Sequence, residues 1–262
     1  MTETLLTIRN LSAWYHVDRH YTGSERSGVA IRRRRRVQST RYHVDRKVLS
    51  GFSVELKQKE VVGLIGLNGA GKTTFINILS GLHEAFRADD ILLYGGPVKF
   101  REKNFKMRRY TVFAEDNSFQ YFTFREYLSY VCKAYGREIP DIGALIQGFH
   151  FGNNTDVLLK DLSTGNRKKA FLITAFALKP KLLLLDEPVN GLDFQSTEFL
   201  YQLIGGYKEY GTVLFSSHIL ESITLTSDRV LVLEDGHIRQ TFESGSINAA
   251  DIRGALRYEG DV

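Results

Sequence analysis

The 262-residue sequence predicts an α/β protein. It has a core built on a mainly parallel sheet, an antiparallel β region near its start and a helical section inserted in the middle. Three observations predict this. Short, continuously apolar runs at 61–65 (VVGLI), 182–185 (LLLL), 213–215 and 230–233 have the texture of strands covered on both faces, as a parallel sheet requires. Segments 5–11 (LLTIRNL) and 48–56 (VLSGFSVEL) alternate loosely, as half-buried strands do. Between the two strand-rich parts, helical spacing dominates around 123–135 and 163–178.

Composition sets the outer limits. Hydrophobic residues make up 43% and charged residues 25%, so the chain has the means to bury a core. A single cysteine, Cys132, cannot form an internal disulfide, which points to a reducing compartment. No apolar stretch approaches the ~20 residues of a membrane helix, and no signal-peptide pattern opens the chain. The net charge of +5 is local in origin. The stretch 16–47 carries +7, which leaves −2 for the rest and argues against nucleic acid as a partner of the whole surface.

The stretch 16–47 is a basic insertion in the antiparallel region. It begins within one copy of a pentapeptide, YHVDR at 15–19, and ends just after a second copy at 42–46. A local duplication and a pair of strands extended into a hairpin both account for the repeat. Its middle holds Gly23, Ser24, Gly28 and the run Arg32, Arg33, Arg34, Arg35 and Arg36. A solvated loop is the default for such a run. Contact with anionic lipid headgroups comes next, since each basic residue near a membrane surface contributes ~1 kcal/mol. Without interleaved aromatic residues, nucleic acid comes last. His16, His20 and His43 lie in the same insertion, but no cysteine or carboxylate cluster accompanies them to suggest a metal site.

After the run at 61–65 the sequence reads GLNGAGKTT, from Gly66 to Thr74, and a helical pattern comes next. This satisfies G-x-x-x-x-G-K-[ST], the phosphate loop that defines a P-loop NTPase core. Glycines let successive N–H groups curl around phosphates at a helix N-terminus. Candidate nucleotide contacts are therefore Gly66, Asn68, Gly69, Ala70, Gly71, Lys72, Thr73 and Thr74. Lys72 reaches the β- and γ-phosphates, and the Thr73 hydroxyl contributes to a Mg²⁺ shell.

The run at 182–185 delivers Asp186 and Glu187 to a strand's C-terminal end, where open α/β sheets bind ligands. Asp186 is assigned to Mg²⁺ and Glu187 to the general base that activates water. Together with the phosphate loop, Glu187 points to hydrolysis of the nucleotide, beyond binding alone.

These residues, with LSTGN at 162–166, resemble the ATP-binding cassette ATPases that drive ABC transporters. The resemblance runs from Leu5 to about Thr241. LSTGN is similar to the family's LSGGQ signature, and Ser163 suits the N-cap of the adjoining helix. The resemblance implies that Ser163, Gly165 and Asn166 address the γ-phosphate of a nucleotide bound by a second subunit, two ATPs being sandwiched in a head-to-tail dimer. It implies that Asn190, Gly191, Leu192 and Asp193 form the loop that crosses to the partner site. It also implies that His218 contacts the γ-phosphate and holds the water. Thr164 and Asn166 stand where the family most often has Gly and Gln. Glu115 stands where most relatives have a glutamine that offers an oxygen to Mg²⁺, so Glu115 is carried over as a metal ligand. Tyr15 is assigned as the adenine platform, with Trp14 and Tyr42 as competitors.

The resemblance implies a single cassette over 1–262, with a core at 1–114 and 176–262 and a helical subdomain at about 115–175. It implies ATP and Mg²⁺ as cofactors, with Lys72, Glu187 and His218 carrying the catalysis. The partners it implies are a second copy and separate membrane-spanning subunits, with the chain at the cytoplasmic face of the membrane. Phe119, Tyr121 and Phe122 are expected to line, partly exposed, the groove that receives the membrane subunit. Glu115 and the short sequence after the core favour export over import. The competing class is a soluble ABC ATPase acting on ribosomes or nucleic acid. Such relatives carry paired cassettes or long coiled coils, and this chain shows one cassette and no heptad run.

Overall fold

The computed structural model describes residues 3–21 and 40–256, with the side chains of 17–21 and 40–44 excepted. The arginine run at 32–36 and its lipid contact lie outside the described residues, as do the side chains of His20, Tyr42 and His43. Two sheets form the frame. The first is antiparallel and joins β1 (Thr4–Tyr21), β2 (Thr40–Lys57), β4 (Phe86–Arg87), β5 (Asp90–Leu93) and β6 (Gly96–Pro97). The second has the order β11-β10-β3-β9-β8-β7. In it β10 (Arg229–Glu234), β3 (Val61–Ile65), β9 (Thr212–Ser217), β8 (Leu182–Asp186) and β7 (Arg109–Val112) run parallel, and β11 (His237–Glu243) closes the edge antiparallel to β10.

Every residue of β3, β8 and β9 is buried, as expected for strands covered on both faces. One apolar cluster lies between the two sheets and encloses α1 (Lys72–Ser80), where Phe75 packs on Phe52 with ring centroids 4.5 Å apart. The other lies across the parallel sheet, against α3 (Phe124–Ala134), α5 (Thr164–Leu178), α6 (Phe194–Gly206), α7 (Leu220–Thr226) and α8 (Ala249–Ala255). Between β7 and β8 the chain makes α3, α4 (Gly143–Gly148) and α5, the helical section that the spacing predicts. α2 (Lys103–Lys106), a single turn, leads into β7. Thr123 caps α3 with a full capping box to Glu126, which explains why the helix starts where it does.

The YHVDR repeat resolves as two paired strands. β1 and β2 continue together to Tyr21 and Thr40, and the two copies face each other in reverse. Tyr15 lies opposite Arg46, His16 opposite Asp45, Val17 opposite Val44, Asp18 opposite His43 and Arg19 opposite Tyr42. A pentapeptide with His second and Asp fourth is complementary to itself when antiparallel, because each His position then falls opposite an Asp position. At the described end of this ladder, His16 Nδ1 lies 2.6 Å from Asp45 Oδ1.

Candidate nucleotide and hydrolysis site

Three neighbouring parallel strands deliver the site. β3, β9 and β8 lie side by side, in a register that sets Ile65 level with Ser217 and Asp186 level with Ser216. The loops that leave their C-terminal ends carry the phosphate loop, His218 and Glu187. This is the edge of an open α/β sheet at which ligands bind.

The phosphate loop has the backbone its glycines allow. Gly69 sits at φ 85° and Gly71 at φ 110°, both in the left-handed region that disfavours a side chain. Apart from its chain neighbours, no atom lies within 4 Å of where a Cβ on Gly69 would stand. Gly66 is required for a different reason, since a Cβ there would come within 2.3 Å of the Leu233 carbonyl. Lys72 is 6% exposed, and its ammonium donates to Gly66 O at 2.7 Å and Leu67 O at 3.3 Å. Its Nζ also lies 3.8 Å from Glu187 Oε1. Burial lowers the pKa of this lysine, against the pull of Glu187 and Asp186.

Asp186 is 1% exposed and well supplied with donors. Its Oδ1 accepts from Ser216 Oγ at 2.6 Å and from Thr73 Oγ1 at 3.2 Å. A hydroxyl and a carboxylate at this distance are hard oxygen donors of the kind Mg²⁺ takes, completed by water and substrate phosphate. No cluster of three or more His, Cys, Asp or Glu able to hold a metal occurs among the described residues. Glu187 comes next at φ 45°, a strained conformation for a residue with a side chain. Its amide donates to Ser216 Oγ at 3.0 Å, and its Oε2 lies 2.8 Å from His218 Nδ1. The strained turn and the histidine together aim the carboxylate at the phosphate loop.

These groups surround a cavity of about 640 Å³ lined by Asn68, Gly69, Gly71, Lys72, Thr73, Thr74 and Glu187 on one side and Tyr15, His16, Arg46 and Val48 on the other. Tyr15 reaches Thr74 Oγ1 at 3.4 Å and packs on His83, with ring centroids 4.6 Å apart. Trp14, its competitor, instead turns to Arg87, whose guanidinium lies 5.8 Å from the indole centroid. Sequence spacing did not single out Arg46, Val48 or His83. The signal was present in the repeat itself, which sets Arg46 opposite Tyr15 once the two copies pair.

The signature lies elsewhere. Ser163 is the N-cap of α5 as predicted, accepting from the Asn166 amide at 3.2 Å. None of Ser163, Gly165 and Asn166 lines the cavity of the phosphate loop. Gly165 has an intramolecular reason to be glycine, because a Cβ would stand 2.3 Å from Gly191 O. Asp193 caps α6 through the Ser196 amide at 2.9 Å and pairs with Lys169. Those contacts hold its carboxyl well below the usual range, the Lys169 hydrogen bond being the largest cause. Glu115 does not line the nucleotide cavity either. It lies in a separate cavity of about 250 Å³ with Asp116, Thr164 and Lys168. In the aromatic stretch, Phe119 is 36% and Tyr121 75% exposed, while Phe122 is partly buried and Phe124 fully buried.

Comparison with known proteins bears on the family and the fold. A family model described as ABC transporter matches residues 49–190. ABC transporter ATP-binding protein AlbC of Bacillus subtilis is 35% identical over 78% of this chain and 88% of its own length. Nod factor export ATP-binding protein I of Rhizobium meliloti is 32% identical over 76% of this chain, and the match spans 60% of that relative's length. Among solved structures, an ATP-binding subunit of an ABC transporter superposes with a TM-score of 0.73 at 24% identity, covering 97% of this chain and 94% of that one, a likeness of fold.

Proposed function

The chain belongs to the family of ABC transporter ATP-binding proteins, and on that premise we propose how its residues use ATP and what the hydrolysis drives. The phosphates occupy the cradle from Gly66 to Thr74, and adenine lies toward Tyr15. Lys72 turns from the loop carbonyls to the β- and γ-phosphates, exchanging two neutral partners for charged ones. Thr73 and Asp186 would hold Mg²⁺, which supplies neutralisation of the phosphate charge when bound. Glu187 takes the proton of the attacking water, and His218, bonded to its carboxylate, keeps that carboxylate in place. Glu115, on the loop after β7, would add a further carboxylate oxygen to that metal.

A single observation carries this assignment: Lys72, Thr73, Asp186, Glu187 and His218 lie at the ends of three adjacent strands, linked by contacts of 2.8 to 3.8 Å. Glu187→Gln tests it. Hydrolysis is expected to fall by ~10²-fold or more while ATP affinity is kept. Unchanged turnover would remove Glu187 from the role of base.

The signature residues stand outside the chain's own nucleotide cavity, which supports a head-to-tail dimer in which each copy completes the other's site. No helix among the described residues is long and apolar enough to cross a membrane. Coupling to transport then falls to separate membrane subunits, with this chain bound at the cytoplasmic face. Exposed Phe119 and Tyr121 suit the groove for that partner. Export is the direction we favour, from Glu115 and from the export function in the name of the Rhizobium relative. On this reading the chain divides into a core at 1–114 and 176–262, a helical subdomain at about 115–175 and a basic insertion at 16–47.

A further inference from the structure

Two consecutive lysines near the start of α5, Lys168 and Lys169, are each only 5% exposed. Neighbours on a helix point in different directions, since a full turn takes 3.6 residues, and these two reach separate loops. Lys169 reaches Asp193, in the loop after Glu187. Lys168 reaches the loop after β7, where its ammonium donates to Phe113 O at 2.6 Å and Ala114 O at 2.7 Å. Glu115 is the next residue.

A buried ammonium is costly unless its donors are met. An apolar side chain of similar length would cover the same wall without that cost. Here the charge is held by two carbonyl oxygens of one short segment, in a cavity that also exposes Glu115, Asp116 and Thr164. Burial lowers the pKa of Lys168 to about 8, against the opposing pull of Asp186, Asp116, Glu187 and Glu115. Two of the three ammonium donors are met by these carbonyls, so the geometry holds the side chain to this segment.

We propose that Lys168 is a positioning residue: it ties the backbone of Phe113 and Ala114 to the signature helix, so that the pose of Glu115 tracks the pose of α5. Its consequence for the metal rests on the reading of Glu115 as a Mg²⁺ ligand. The tie stops one residue short of Glu115, which leaves that side chain free to turn while its anchor stays fixed. A shift of α5 when a second copy engages Ser163 is then passed to Glu115 without any contact between the two residues.

The test compares the full-length protein with Lys168→Met, which keeps the length and removes charge and donors, and Lys168→Gln, which keeps a donor. In nucleotide-free protein, hydrogen exchange over 113–118 should quicken about 10-fold in Lys168→Met, with 186–193 unchanged. Lys168→Gln should fall between the two. With ATP, the Mg²⁺ concentration for half-maximal hydrolysis should rise about 10-fold, while ATP affinity without metal stays within about 2-fold of the parent. Unchanged exchange over 113–118 in either folded variant overturns the tie. If exchange quickens but Glu115→Ala leaves the Mg²⁺ requirement where it was, the tie stands and the reading of Glu115 as a metal ligand falls.

Discussion

The phosphate loop and the signature both place small and hydroxyl residues at a helix N-terminus, yet the fold treats them in opposite ways. At the phosphate loop, residues from three strand ends converge. Thr73 meets Asp186, Lys72 comes within 3.8 Å of Glu187, and Glu187 meets His218. At the signature, the same kinds of groups are spent within the chain. Ser163 caps its own helix, Gly165 makes room for Gly191, and Asp193 is bonded to Ser196 and Lys169. One end is a cradle open to a ligand, and the other is a finished surface with a helix N-terminus on it. On the proposed reading, this difference is that of a chain holding one half of each of two sites.

The largest expected effect falls on the open end. Lys72→Ala removes a buried cation from the cradle, and ATP affinity should drop about 100-fold, read by equilibrium binding. An unchanged affinity would mean that the ammonium stays with the Gly66 and Leu67 carbonyls and never turns to phosphate. An intermediate effect is expected at the finished end. Gly165→Ala forces a Cβ against the Gly191 carbonyl, and turnover should fall about 10-fold with ATP binding to the single chain intact. Were binding lost as well, the two ends would not be separable within one chain.

The difference between the ends also decides how much of each was legible in the sequence. The phosphate loop and the Asp186–Glu187 pair could be read because they are local strings whose chemistry comes from spacing. Strand limits such as 61–65 came from continuous apolar runs. Arg46 could be read only through the pairing of the repeat, and Val48 and His83 could not be read, because their place beside Tyr15 depends on the fold of β2 and on the chain after α1. Glu115 could be matched to a family position, but its seat in a separate cavity goes with the Lys168 contact to Ala114, 54 residues away in sequence. The repeat was visible as a string, and its self-complementary pairing appears only when the strands run antiparallel.

The smallest expected effect concerns Asp193. Its folded-state pKa is depressed, so the stability it contributes is present above the ordinary carboxylate pKa of about 4 and is lost as pH falls below it. With its side chain 53% exposed, the contribution is at most about 1 kcal/mol. Asp193→Asn should therefore lower stability slightly at neutral pH, and the gap to the parent should close on acidification, read by denaturant titration at each pH. A gap that widens in acid would mean that Asp193 is not held as an anion by Lys169.

That each chain holds half of two sites is tested most directly by sedimentation of Glu187→Gln with and without Mg-ATP. A single chain of 29.8 kDa is expected without nucleotide, and a species of twice that mass with it. A protein that saturates with ATP and still sediments as one chain would contradict the half-site arrangement, leaving Ser163 and Gly165 as parts of the fold alone.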